Sequence, residues 1–583
     1  MRLWLAAALI ALPSFSGAEV KNQNAFVHLT IADAESLDPD WAYDAASGAV
    51  INNIYEFLLA YQGSGVAEKD LIGRLSKEVP SRANGLISKD GLTYSFPIQR
   101  GIQFQGGAIL TAEDVRYSLL RFMMTDRDGG PSSLLLQPIL GVDSTRKDGK
   151  LIEGLYAQAA KAVTVDGDTV VIRLKKPFAP FLSILVNYGA VFSQNWCAAH
   201  GEWDGKAETL PKFNNPKRES SYMAEHANGT GPYALERLDN KTKEIYLLRW
   251  GSYWRDPAKI KRVVIRNINE FSTRKLMLSA GDADSIYGQL MYYPQLKELP
   301  GVTVTDGLRN LERSAILFFT LKLNAAGNSN IGSGKLDGEG VPPDFFSDKD
   351  VRKAFAYSVD YEGYVRDIQR GKGGQAVSFI PKGLLGYRSD LKKYRFDPEM
   401  AEQHFRRAWG GKAWEKGFKL SILFNAGSPQ TQTVCQMIKK NVEALNRKFK
   451  IDVRGLQWSS YLEQSQARQI PVFMGAWQAD YPDPHSFAFP LLHSKGYFPQ
   501  KQGYSNPEVD QLIDDAAASL DPQERESLYG KLQEILYEDV PHVHIAEGTR
   551  YRTQRSWVKG YVFSPVFPDA PYSSYYYDLW KAE

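Results

Sequence analysis

A chain of 583 residues with 43% apolar, 23% charged and 12% aromatic side chains has a globular composition and room for roughly two to four domain-sized cores, which excludes a disordered, collagenous or disulfide-stapled chain. Its 70 Lys and Arg against 67 Asp and Glu leave a formal charge of +3, too weak a field to grip nucleic acid or an anionic membrane. Two cysteines, Cys197 and Cys435, can build neither a metal cluster nor a redox C-x-x-C. Unpaired thiols are the expectation, with a single bridge as the alternative.

The first residues read as an export address. Arg2 is followed by an apolar run at 3–12, then by Pro13 and a small-residue stretch with Ser16 and Ala18 where a signal peptidase reads, so 1–18 is expected to be a cleaved signal peptide. The run is far short of the roughly 20 apolar residues that span a bilayer. No cysteine stands at the cleavage site to take a lipid. The mature chain is expected to be soluble and, in a bacterium with an outer membrane, periplasmic.

Strand and helix signals then alternate to the end, which predicts an α/β fold. The turn Asp90-Gly91 precedes a strand at 92–98, and Asp166-Gly167-Asp168 joins strands at 162–165 and 169–174. Thr111 with Asp114 forms a capping-box pattern ahead of Val115, Leu119, Phe122 and Met123 on one helical face. Ser347 with Asp350 repeats it. Asn506-Pro507 and Asp521-Pro522 each place a cap before a first-turn proline, with stripes at Val509, Leu512 and Ile513 and at Leu528, Leu532 and Ile535. Residues 327–341, rich in Gly, Ser and Asn, read as an exposed loop insertion.

Catalytic signatures are missing: the sequence contains no H-E-x-x-H, G-x-S-x-G or G-x-x-x-x-G-K-[ST]. Gly371-Lys372-Gly373-Gly374 lacks the spacing of a phosphate loop and reads as a turn. Ser272-Thr273-Arg274-Lys275 fits S-x-x-K but has no K-T-G partner. His542 and His544 share a face of a strand predicted around 540–545, without a third ligand in view. The expectation is no enzyme, no metal and no cofactor.

Several segments, read in order, resemble the large extracytoplasmic solute-binding proteins of ABC importers, family 5, which includes oligopeptide- and dipeptide-binding proteins. They are Asp90-Gly91-Leu92-Thr93-Tyr94-Ser95-Phe96, Leu110-Thr111-Ala112-Glu113-Asp114-Val115, Gly229-Thr230-Gly231-Pro232-Tyr233, Gly251-Ser252-Tyr253-Trp254, Asp350-Val351-Arg352-Lys353-Ala354 with Val359-Asp360, Ile380-Pro381-Lys382-Gly383, and Ala479-Asp480-Tyr481-Pro482-Asp483-Pro484. The resemblance implies a two-lobed periplasmic-binding-protein fold, type II-like and of cluster C, with an extra subdomain in the first lobe. Lobe I would span 19–315, with the subdomain at about 61–180, lobe II 316–545, and 546–583 would return to lobe I. Crossings are expected at 316–323 and 543–549. The stretches 131–150 and 200–227 exceed what the resemblance requires.

It further implies a monomer that binds a small peptide or peptide-like solute and hands it to an inner-membrane ABC permease. Asp480, in Trp477-Gln478-Ala479-Asp480, would hold the ligand α-ammonium, with Trp477 and Tyr481 beside it. A fixed carboxylate is what a charged amine needs on leaving water. The other reading of Asp480 is a cap for the turn at Pro482 and Asp483. Asn425 and Gln430, in the loop after the strand at 420–424, would meet the ligand's far end. Six residues before Asp480, where some relatives carry a carboxylate-binding arginine, stands Met474. An oligosaccharide, a metal chelate or an amino-acid derivative stays open as cargo, and so does presentation to a sensory receptor.

Overall fold

Residues Phe26 to Thr30 of the strand Ala25–Thr30 are all buried, as in a strand covered on both faces. It pairs in parallel with Arg262–Asn267 and with Ser285–Ile286. A seven-stranded sheet results, in the order Val302–Arg309, Thr549–Arg555, Ser285–Ile286, Ala25–Thr30, Arg262–Asn267, Glu244–Arg249, Tyr233–Asp239. The computed structural model on which this description rests covers residues 20–309, 311–566 and 575–582. The signal-peptide expectation at 1–18 lies outside the described residues.

A second sheet runs Gly374–Gln375, His542–Glu547, Glu312–Phe319, Val472–Gln478, Phe418–Asn425, Phe449–Leu456. Side chains of Glu312–Phe319 alternate between two cores. Ile316 and Phe318 face helices Pro507–Ala518 and Pro522–Asp539, whereas Leu317 and Phe319 face Lys349–Tyr357 and Pro429–Leu445.

The chain leaves the first sheet after Arg309, enters the second at Glu312, and comes back between Glu547 and Thr549. The outward passage thus precedes the expected 316–323. That apolar run is itself an interior strand of the second sheet, too buried to serve as a connector. The two joins lie together: Arg309 faces Thr549 in register, and Arg550 Nη2 donates to Glu312 Oε2 at 2.5 Å.

Between the first strand and the rest of its sheet comes a three-stranded antiparallel unit of Thr93–Pro97, Thr169–Arg173 and Val163–Asp166. The helix Ala112–Met124 that covers it starts with the capping box foreseen, Asp114 N donating to Thr111 Oγ1 at 3.2 Å and Thr111 N to Asp114 Oδ2 at 3.0 Å. Asn506 and Asp521 cap their helices. At the other predicted start the cap is Asp348, not Ser347. Ser347 closes the 3-10 turn Phe345–Ser347, and the carboxylate one residue on accepts from Asp350 N at 2.8 Å.

Residues 327–341 are not simply exposed. A bridge between Gly332 and Gly340 folds the stretch back, Ile331 and Val341 are buried, and Asn330 Nδ2 donates to Gln469 O at 2.9 Å. Both cysteines are buried and unpaired, and burial pushes each thiol up to about 12.

The stretch 200–227 is anchored by charge. Arg121 donates to Asp38 at 2.9 and 2.8 Å, to Asp40 at 2.6 Å and to Glu202 at 2.7 Å, with all four side chains buried. One cation thus meets three carboxyl groups. Burial, aided by the charges of Asp38 and Glu202, pushes Asp40 up to about 8, so it holds a proton at neutral pH. Burial also opposes ionisation of Asp38, but Arg121 and its hydrogen bonds more than offset it and hold Asp38 below the usual range. The other oxygen of Glu202 accepts from Ser221 Oγ at 3.0 Å and from Tyr222 N at 2.6 Å, folding the stretch onto the charge cluster.

Asp40→Asn should therefore shift unfolding free energy by no more than about 1 kcal/mol at pH 4 or below, where the carboxyl is largely neutral in the folded and the unfolded chain alike and an amide replaces it. Because the folded-state pKa is raised, the wild type loses stability as pH climbs from about 4 through about 8. At pH 9 the variant should be the more stable in denaturant unfolding. Arg121→Ala, which leaves buried carboxylates unpaired, should cost about 3–5 kcal/mol.

Candidate ligand-binding cleft

The strand Val472–Gln478 points its last residues at the junction of the two sheets. Glu312 and Arg313 pair with Gln478 and Trp477, and Ala479 N donates to Leu311 O at 2.9 Å. On its other edge the strand pairs with Phe418–Asn425 only at Val472 and Phe473, so the edge beyond Phe473 is unpaired on that side. Residues 476–480 form one wall of a cavity of about 350 Å³. The opposite wall comes from the other lobe, chiefly Tyr43 just before helix Ala45–Ile54, Ile51 and Asn52 in its last turn, Phe57, and Asn187 with Tyr188.

Asp480 faces this cavity from a backbone fixed by Ser486, whose Oγ accepts from Asp480 N at 2.9 Å and whose O accepts from Trp477 Nε1 at 2.6 Å. Its carboxylate caps no turn. That role belongs to Asp483, which accepts from His485 N at 2.8 Å and from Arg525 at 2.7 and 2.9 Å. Asp480 instead accepts a hydrogen bond across the cleft from Tyr43 Oη at 2.7 Å and another from Tyr188. The two phenol rings meet edge to face at 6.4 Å. Desolvation raises Asp480 to about 6, and the phenols only partly counter it. The carboxylate thus sits half-buried with neutral donors and, among the described residues, no cation beside it.

The remaining predicted residues divide. Trp477 lines the cavity, its ring packing near Phe498 and Tyr497 at 6.0 and 6.2 Å. Tyr481 does not. Its side chain turns away into the core of the first lobe, with Oη 2.8 Å from His485 Nδ1, because the Tyr481-Pro482 step reverses the chain. Asn425 and Gln430 are exposed and stand off the cavity, Asn425 ending its strand and Gln430 in the first turn of Pro429–Leu445. Met474 is buried in the core. A larger space of about 860 Å³ opens between the subdomain and the second lobe. Its buried charges, Asp483 and Arg525, neutralise one another.

The family model for bacterial extracellular solute-binding proteins, family 5, middle region, matches residues 77–499. The chain belongs to that family. Heme-binding protein A of Haemophilus influenzae is 24% identical over 95% of this chain and 93% of its own length, and the dipeptide-binding protein of Escherichia coli is 24% identical over 97% and 96%. In fold the chain is similar to the periplasmic binding protein DppA of Helicobacter pylori solved with the peptide STSA, at TM-score 0.70 and 22% identity over 96% of this chain and 98% of that one. HbpA2 of Haemophilus parasuis gives TM-score 0.71 at 19% identity over 96% and 100%. The two-lobed α/β architecture is that of these binding proteins. Among the described residues no helix is long and apolar enough to cross a membrane.

Tyr43 and Tyr188 escaped the sequence reading, two among 31 tyrosines with no local pattern to mark them. Because each stabilises the ionised carboxylate, Tyr43→Phe should raise the Asp480 pKa above about 6, by up to about one unit, in a carboxyl-detected NMR titration.

Proposed function

We propose that the protein captures a peptide-like solute with a free α-ammonium in the cleft between its lobes and delivers it to an ABC permease. It would act after export through cleavage at Ala18, as a soluble periplasmic monomer without catalysis. The observation that carries this reading is the Asp480 carboxylate, desolvated and without a cation at the interlobe wall. An ammonium is the group whose arrival compensates it, and a neutral sugar would leave it uncompensated. The unpaired edge after Phe473 adds a second feature. An extended ligand backbone can bond there as an added strand, while Ala476 and Ala479 leave room for varied side chains.

Ligand bridging the walls would favour the state in which the lobes are drawn together, pivoting on the paired joins at 309–312 and 547–549. The Tyr43 to Asp480 bond spans the same gap, so phenol and ammonium compete for one carboxylate.

Isothermal titration with a mixed library of short peptides should give binding that N-acetylation of the library abolishes. Asp480→Ala should weaken it by about 2–5 kcal/mol. Equal binding by variant and wild type would overturn the anchor. Affinity should also depend on pH in one direction. Below about 6 a proton occupies the free carboxylate, so Kd should rise by up to about tenfold per pH unit there and level off above, and Asp480→Asn should flatten the profile.

A further inference from the structure

We propose that the second lobe carries a binding site of its own, for a divalent transition-metal ion held by His542 and His544. A cavity of about 500 Å³ opens inside this lobe, away from the cleft, between the strand His542–Glu547, the end of helix Pro522–Asp539 and the segment 375–394. The short strand Gly374–Gln375 covers its neighbour only opposite Glu547 and Ala546, leaving 542–544 uncovered on that edge. Two-residue periodicity sets both imidazoles on one face, opposite Phe318 and Ile316, and both line the cavity.

Their Nε2 atoms are 3.1 Å apart. A neutral pair can share only one proton at that contact, which obliges one ring to carry N–H at Nδ1 and the other a lone pair there. Both Nδ1 atoms are buried without a hydrogen-bond partner. Two polar rings thus spend their joint capacity on a single bond, with both Nε2 atoms converging in a cavity whose lining also includes Ser378 and Gln533.

A first-row ion about 2.0–2.1 Å from each Nε2 would subtend an N–metal–N angle of about 100° at this separation, within the range of tetrahedral and five-coordinate sites. The ion would take both Nε2 lone pairs, and the proton shared there would move to the Nδ1 of its own ring, leaving both imidazoles neutral. No group of three or more His, Cys, Asp or Glu side chains suited to a metal occurs among the described residues, so the remaining positions fall to water or to a small chelating solute, for which the cavity has room. Paired imidazoles favour copper, nickel or zinc over magnesium or calcium. The approach to His542 is held rigid. Val540 takes the left-handed conformation at φ 46°, unusual for a β-branched residue, and its carbonyl accepts from Arg352 Nε at 3.1 Å.

The test titrates Cu²⁺ and Ni²⁺ into the metal-free protein against a competing chelator and records the electron paramagnetic resonance of the copper form. One ion per chain is expected, with hyperfine coupling from two imidazole nitrogens. His544→Gln should weaken binding by about 10- to 100-fold. The double variant His200→Gln with His226→Gln removes the exposed histidines stacked on Tyr222 and should bind as the wild type does. So should Asp480→Ala, which separates this site from the cleft. The copper spectrum is read on the unaltered chain and does not depend on a variant folding. Coupling to fewer than two imidazoles, unchanged affinity in His544→Gln, or loss of binding in the surface double variant would each overturn the proposal.

Discussion

A half-buried carboxylate with no cation beside it among the described residues is the constraint around which the cleft is arranged. Asp480 gains nothing for the empty protein: desolvation raises its pKa, and two neutral phenols are a partial remedy. Such a group persists only where the backbone over-determines its place. Here Ser486 grips the strand end from one side, and the Ala479 to Leu311 bond ties it to the join between sheets from the other. Asp480 therefore sits one residue from a contact with the connecting segment, which ties the carboxylate to the join between the two sheets.

The wall facing Asp480 depends on a second, opposite solution to buried charge. At Arg121 a cation is present but outnumbered, and the surplus is met by leaving a proton on Asp40. Asp38 and Asp40 flank Pro39, and three and four residues beyond Asp40 Tyr43 and Asp44 line the cleft, Asp44 also capping helix Ala45–Ile54 by accepting from Ser47 N at 2.8 Å. The stretch 200–227, surplus to the family resemblance, thus connects through Glu202 and Arg121 to the segment that lines the cavity.

Local signals carried through to the structure where they were self-contained. The capping box at Thr111, the proline-led helices after Asn506 and Asp521, and the hairpin across Gly167 all rest on neighbours within a turn of one another. What depended on distant partners was not legible. Nothing in the run at 315–319 distinguishes an interior strand from a crossing, since both are apolar and β-branched or aromatic. Asn425 and Gln430 were placed by likeness to a loop, and the direction in which that strand leaves the sheet carries them outward. The place of Asp480 at the cavity was legible from a short motif, but the phenols bonded to it come from more than 290 residues away in sequence and bear no signature.

The route of the chain has a consequence for how the protein assembles. All six strands of the second sheet lie between residues 312 and 547, so that lobe can form from one contiguous stretch. The first sheet cannot. Thr549–Arg555 lies between Val302–Arg309 and Ser285–Ile286, and Tyr576 N donates to Asn53 Oδ1 at 2.9 Å, so its hydrogen-bond ladder stays broken until the last few dozen residues exist. A chain emerging from the ribosome therefore keeps its first half incomplete through most of its synthesis, with the loop-closure entropy of more than 500 residues still to be met.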